Sequence, residues 1–212
     1  MIHIEKFTFN PFSENTYVLY DDAQNAVIVD PGNIHDFETK ALEGFISKNN
    51  LSINNIILTH AHIDHVLGLQ WAYDTYKVPV IMHEVEKEVL DRNPMTASNY
   101  GFFMKPIDVQ LQYVKEGDVV EIGDEELKIY EVPGHSPGHI AFHHEEGKFI
   151  ISGDVLFEGS IGRTDLFKGN YEQLLTSVKE KLFVLEPETK VYSGHGNPTT
   201  VGFEKDYNPF FK

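Results

Sequence analysis

Apolar residues along the chain fall into short β-branched or aromatic runs, each closed by Gly, Pro, Asn or Asp, the pattern of strands that end in turns. Such runs predict strands at Thr16–Tyr20, Ala26–Val29, Asn55–Leu58, Pro79–Met82, Leu127–Val132, Ile140–His143, Lys148–Ser152 and Lys190–Tyr192. Helical spacing takes over between some of them. Asp36 to Lys48 brings Phe37, Ala41, Leu42, Phe45 and Ile46 near one face, and His65 to Lys77 aligns Leu69, Ala72, Tyr73 and Tyr76. Glu84 to Leu90 predicts a short helix. Tyr171 to Phe183 predicts a longer one, with Leu174, Leu175, Val178, Leu182 and Phe183 inward and Asn170 as its cap. The least periodic stretch, Asn93–Asp108, contains Tyr100, Phe102 and Phe103 and reads as a loop or lid over a site. Strands joined by both helical crossovers and hairpins predict an α/β sandwich of mixed sheets. No linker, low-complexity tract or charge block divides residues 1–212, so one domain is expected.

Composition narrows the partners. With 33 acidic against 17 basic residues the formal net charge is −16, which repels a phosphate backbone and argues against nucleic acid. The one basic run, Lys179–Lys181, is interrupted by Glu180. No apolar window is long enough to span a bilayer. Met1–Asn10 lacks the pattern of a signal peptide, so a cytoplasmic location is expected. Eleven His and no Cys exclude disulfides, thiolate metal sites, Fe–S clusters and a cysteine nucleophile.

Candidate chemistry concentrates in Thr59-His60-Ala61-His62-Ile63-Asp64-His65, directly after the apolar run Asn55–Leu58. In extended chain alternate residues point the same way, so His60 and His62 project together from a strand end. Imidazoles with a carboxylate form a ligand set that suits Zn, Fe or Mn. Three further segments place ligands after apolar strands: Pro133-Gly134-His135-Ser136-Pro137-Gly138-His139, Ser152-Gly153-Asp154 and Ser193-Gly194-His195-Gly196. Each alone is an ordinary turn; together they point to one composite site.

These segments resemble the metallo-β-lactamase-fold hydrolases, and within them the glyoxalase II-like (hydroxyacylglutathione hydrolase-like) group, from about Asn15-Thr16-Tyr17 to His195-Gly196. The resemblance implies a four-layered αβ/βα sandwich, two mixed β-sheets flanked by helices, with metals in a groove at the sheet edges. It implies a dinuclear site: His60, His62 and His135 on one metal, Asp64, His65 and His195 on the second, and Asp154 bridging. Two divalent ions are expected, zinc first from ligand chemistry, with Fe and Mn open. Cations about 3.5–4 Å apart lower the pKa of a shared water towards neutrality and so supply a hydroxide nucleophile. Asp64, counted first as a ligand, is also placed to orient that nucleophile. A thiolate leaves without a strong general acid because a thiol's pKa is about 8.5. A small-molecule thioester therefore fits as substrate, and the resemblance implies S-lactoylglutathione as the first candidate. Only the residues up to Lys212 follow His195, so the C-terminal helical region that holds glutathione in two-domain members of the group is expected to be missing. The second reading is an Fe(II)-dependent persulfide dioxygenase, which shares the fold and much of the motif set. A β-lactamase, a nuclease and a non-enzymatic binding module fit the residues less well.

Weaker candidates surround this set. Asp30, in Val29-Asp30-Pro31-Gly32, is placed to hydrogen-bond a ligand histidine and fix its tautomer. His139 is expected to support the site rather than bind metal. His83, His143 and His144 have no ligand role, and His3 and His35 are expected at the surface. Gly159-Ser160-Ile161-Gly162-Arg163-Thr164-Asp165 is also similar to the glyoxalase II and persulfide dioxygenase groups, with Arg163 expected near the groove in an ion pair with Asp165 or another acid, ahead of a role in substrate binding. Lys168 and Tyr171 are possible substrate contacts.

Overall fold

A computed structural model describes residues 1–212. The first sheet carries β1 (His3–Phe9), β2 (Glu14–Tyr20), β3 (Asn25–Val29), β4 (Ser52–Ile57), β5 (Val80–His83) and β6 (Leu111–Val114) in sequential order. Its first three strands pair antiparallel and the rest parallel. The second sheet carries β7 (Val119–Ile122), β8 (Glu125–Glu131), β9 (Ile140–His144) and β10 (Phe149–Gly153) as an antiparallel meander. A small hairpin, β11 (Leu156–Phe157) and β12 (Ser160–Ile161), follows β10. The chain then crosses over to β13 (Lys190–Ser193), parallel to β10, and β14 (Thr199–Thr200) closes that edge.

Period-two alternation decides the layering. In β3, Val27 and Val29 face the second sheet and pack with Ile129, Ile140, Phe142 and Ile151 in the central core. Ala26 and Ile28 point the other way, onto Leu42 and Ile46 of α1 (Asp36–Lys48). On the first sheet, Ile56, Val80 and Met82 also bury outward, against α2 (Ile63–Val66), α3 (Leu69–Tyr76) and α4 (Glu86–Asn99). On the second sheet, Ala141 and Ile150 pack under α5 (Tyr171–Ser177), which runs on through a wider turn at Val178–Leu182, and Val201 of α6 (Val201–Tyr207) joins the same cluster. Strands buried on both faces read as nearly unbroken apolar runs, which is why the central ones were visible in the sequence. The fold is the expected helix–sheet–sheet–helix sandwich of mixed sheets. No helix is long and apolar enough to cross a membrane.

The structure departs from the apolar pattern in two places near the site. The helix expected over His65–Lys77 is divided at Gly68, whose N–H donates to Pro31 O at 2.8 Å. A Cβ at Gly68 would stand 2.1 Å from Asn33 Oδ1, so the backbone passes too close for any other residue. The stretch expected as a loop from Asn93 begins instead as the second half of α4, with Pro94 inside the helix. Asn93 and Ala97 are buried there, and Asn93 Nδ2 donates to Ala61 O at 2.9 Å. That tertiary anchor carries the helix past its proline; the irregular part begins only after Asn99.

Tyr17 ties the sheets together beneath the site: its hydroxyl donates to Ser193 O at 2.6 Å from a fully buried position. Ser193 O keeps a second donor, Asn15 Nδ2 at 3.1 Å. Tyr17→Phe is therefore expected to cost only about 1 kcal/mol, measured as a lower urea midpoint with an unchanged m-value.

Candidate metal centre

Each expected ligand follows the C-terminal end of a strand. The chain leaves β4 through Leu58 and Thr59, runs through His60 to His62, whose backbone is extended, and turns into α2, whose first residues include Asp64 and His65. His135 lies in the loop after β8, Asp154 follows β10, and His195 follows β13. The structure brings all seven side chains into one cluster. Ligand atoms of His60, His62 and His135 lie within 4.8 Å of one another, as do those of Asp64, His65 and His195. Asp154 stands between the two groups. Its Oδ2 is 3.5 Å from His135 Nε2 and 3.4 Å from His195 Nε2, while Oδ1 is 3.4 Å from His65 Nε2. Asp64 Oδ2 is 3.1 Å from His195 Nε2 and 3.7 Å from His65 Nε2.

Hydrogen bonds on the outward ring nitrogens determine which nitrogen faces the centre. Asp30 accepts from His65 Nδ1 at 3.0 Å, from Thr59 Oγ1 at 2.6 Å and from the Thr59 N–H at 2.7 Å. The Thr59 hydroxyl proton is thereby committed to Asp30, so Thr59 Oγ1 accepts from His60 Nδ1 at 3.0 Å, which leaves His60 Nε2 as a bare lone pair. His135 Nδ1 donates to Arg163 O at 2.7 Å, and His195 Nδ1 lies 3.1 Å from Phe12 O. The role expected of Asp30 is realised, and it extends to two histidines. Asp30 adopts a positive φ of 49°, a conformation Asp tolerates better than most residues.

The donor set fits metal ions. His60 Nε2, His62 Nε2, His65 Nε2 and Asp154 Oδ1 are buried polar atoms without a hydrogen-bond partner, an arrangement that costs free energy unless something else satisfies them. Burial pushes the His60 imidazole well below its ordinary value and His62 down to about 3, keeping both neutral as ligation requires. Burial alone would raise Asp154, but His65 and His195 hold it well below the usual carboxylate range. Burial likewise opposes the charge on His195, yet its hydrogen bonds to Asp154 and Asp64 carry it up to about 10. Close approach is needed too: a Cβ on Gly194 would stand 2.1 Å from Asp154 Oδ1 and 2.7 Å from His65 Cε1.

One supporting residue had no signal in the sequence. Glu86, at the start of α4 and fully buried, accepts from the Ala61 N–H at 2.7 Å, the Gly138 N–H at 2.7 Å and the Ser136 hydroxyl at 2.5 Å. It thus joins the loop of His60 and His62 to the loop of His135. Burial raises its pKa despite those three donors. A Glu three residues after a strand looks like an ordinary helix start, and its partners lie 25 to 52 positions away.

The other histidines fall where expected. His139 is buried, stacks on His60 with ring centroids 4.6 Å apart, and accepts from the Asp154 N–H at 3.1 Å, so it positions ligands. His83 pairs with Glu131 at 3.2 Å and His144 with Glu125 at 2.8 Å, His143 is buried away from the ligands in β9, and His3 and His35 are exposed. Arg163 pairs with Asp165 through contacts of 2.6 and 2.7 Å, as expected, and also lines the groove. Lys168 pairs with Glu88 at 2.5 Å, and Tyr171 is exposed outside the groove lining. The groove over the centre holds about 410 Å³ and is walled by Phe12, Val89, Tyr100, Phe157, Leu166 and Phe167. Tyr100, expected to cover the site, stacks edge-on with Phe12 at 5.1 Å.

This architecture and site have known counterparts. The chain belongs to the metallo-beta-lactamase superfamily, whose family model matches residues 9–195. It is a metallo-hydrolase of that superfamily. It is 35% identical to hydroxyacylglutathione hydrolase GloC of Haemophilus influenzae, over 99% of this chain and 98% of that protein. It is 40% identical to the probable metallo-hydrolase YqgX of Bacillus subtilis, over 94% and 93%. Among solved structures it is similar to BLEG-1 B3 metallo-beta-lactamase (TM-score 0.86, 37% identity, 99% and 100% covered) and to TTHA1623 in a di-iron-bound form (0.87, 34%, 97% and 99%). ETHE1 from Myxococcus xanthus is more distant, with a TM-score of 0.78 and 26% identity over 98% of this chain and 83% of that one.

Glu86→Ala leaves two buried N–H groups and a hydroxyl unpaired, so it is expected to destabilise the chain by about 3 kcal/mol or more, read from denaturant unfolding. A second expectation concerns pH. In chelator-treated protein His195 keeps its proton until about pH 10, against an ordinary value of 6.5. Its pairing with Asp64 and Asp154 therefore contributes fully below pH 6.5 and fades as pH rises through about 10. NMR titration of the His195 ring, with melting curves of the metal-free protein across that range, checks both statements.

Proposed function

We propose that the chain is a dinuclear metal-dependent hydrolase of thioesters, of the hydroxyacylglutathione hydrolase kind. The observation that carries this reading is Asp154, with one oxygen toward His65 and the other toward His135 and His195, between two complete groups of three ligands. On this reading His60, His62 and His135 hold one ion, Asp64, His65 and His195 the other, and Asp154 both. When bound, such a pair of cations supplies an activated water and an electrophile for a carbonyl oxygen. Zinc suits the imidazole and carboxylate donors, and iron or manganese suits them as well; the similar TTHA1623 is known in a di-iron form.

The chain's own groups do the rest. Ionised Asp64, at the groove wall, is placed to accept a hydrogen bond from the attacking water and aim its lone pair at the substrate carbon. Phe12, Phe157 and Phe167 line the groove and would shield a bound substrate from bulk solvent. No side chain is required as a general acid for the departing sulfur, because a thiolate with a pKa of about 8.5 leaves unprotonated. The similarity to the hydroxyacylglutathione hydrolase GloC supports S-lactoylglutathione as the first substrate to try.

The second reading is a persulfide dioxygenase using a single Fe(II), supported by the likeness to ETHE1 from Myxococcus xanthus. The test is elemental analysis of purified protein followed by an assay of thioester loss from S-lactoylglutathione. About two metal equivalents and turnover are expected. His62→Ala and Asp154→Ala should each lower turnover by about a thousandfold or more and reduce bound metal. A single iron with oxygen consumption on glutathione persulfide would replace this reading with the second.

A further inference from the structure

The chain contains only two arginines among its 212 residues, Arg92 and Arg163, against a net charge of −16. Both line the groove over the metal centre. They are not equivalent. The guanidinium of Arg163 is occupied by the bidentate contact with Asp165. Arg92 forms no ion pair. The acids nearest to it on α4 are already taken, Glu88 by Lys168 and Asp91 by Lys87, each at 2.5 Å. Its guanidinium lies instead over the ring of Phe167, 4.0 Å from the centroid. A guanidinium stacked on an aromatic face keeps its N–H donors in its own plane, so they remain available for a planar acceptor.

The backbone positions of both arginines are tied to the ligand loops. Asn93, next to Arg92, donates from its buried side chain to Ala61 O, between His60 and His62. Arg163 O accepts from His135 Nδ1. Arg92 is thus fixed relative to the reacting centre, on the wall where the parts of a substrate beyond its scissile bond must lie. We propose that Arg92, stacked on Phe167, is the specificity residue that anchors a substrate carboxylate, so that the enzyme selects anionic, carboxylate-bearing thioesters. This deepens the thioester hydrolase reading and rests on it for the nature of the scissile bond. A carboxylate suits the site because one free planar fork matches it bidentately, and of the two guanidiniums that line the groove only that of Arg92 is free of an ion pair.

The test measures binding and turnover separately on metal-loaded protein. Calorimetric titration compares S-methylglutathione, its diethyl ester and coenzyme A, with wild type, Arg92→Met and Arg92→Lys. Metal content and melting temperature establish that each variant is folded and loaded. Wild type is expected to bind S-methylglutathione about tenfold to a hundredfold more tightly than the diester. Arg92→Met should erase that preference while leaving diester binding unchanged, and Arg92→Lys should restore part of it. In turnover, Arg92→Met should raise KM for S-lactoylglutathione with kcat nearly unchanged. Equal wild-type affinity for acid and ester, no measurable binding of S-methylglutathione, or equal loss for both ligands in Arg92→Met would overturn the proposal. Tighter, Arg92-dependent binding of coenzyme A would overturn it in favour of a phosphate ligand. A carboxylate preference that depends on Arg92, in protein that leaves thioesters intact, would support the anion site and defeat the hydrolase reading instead.

Discussion

The carboxylate of Asp30 controls where protons sit in the centre, and most of the site's geometry depends on that. It receives three donors, two from Thr59 and one from His65. Through the Thr59 hydroxyl it also orients His60, which it does not touch. Two imidazoles thereby carry a proton on the outward nitrogen and turn the other nitrogen to the middle of the cluster. Without that constraint the same residues would be free to pair with one another, as His62 and His135 do across 2.8 Å.

Around this network the chain keeps few degrees of freedom. Glu86 fixes the distance between two of the loops, Asn93 fixes α4 against one of them, and the absence of a side chain at Gly194 lets the Asp154 carboxylate lie against the turn that follows β13. None of these residues belongs to the reacting set. Their role is to make a buried cluster of ionisable groups, several of them without hydrogen-bond partners, persist in the folded chain, a desolvation cost that the pairs within the cluster alone would not offset.

Much of this was legible in the amino-acid sequence because the signals are local. His60, His62, Asp64 and His65 are neighbours in the chain, and His135, Asp154 and His195 each follow an apolar run with Gly or Pro beside it. Asp30 could be read for the same reason, as a carboxylate at a strand end. Glu86 could not, since its partners come from two distant loops and its own neighbourhood is an unremarkable amphipathic helix. The continuation of α4 beyond Pro94 was hidden likewise: it depends on the burial of Asn93 and Ala97, which no local pattern encodes. The edge strand β1 gives no apolar run because most of its residues are half-buried or exposed, without the double-sided burial of the central strands.

The seven clustered side chains come from two bodies. His60, His62, Asp64 and His65 extend from the first sheet, whereas His135, Asp154 and His195 extend from the second. The centre therefore exists only where the two halves of the sandwich meet, and neither half carries a complete set. Any ion that binds there acts as a clasp across the molecule's main seam. Its binding energy is drawn from the docked state alone, because a separated half offers only a fraction of the donors. If the site takes metal, loading it and holding the sandwich closed become a single equilibrium, and the chain's tolerance of destabilising change in its central core would then depend on how much metal its surroundings supply.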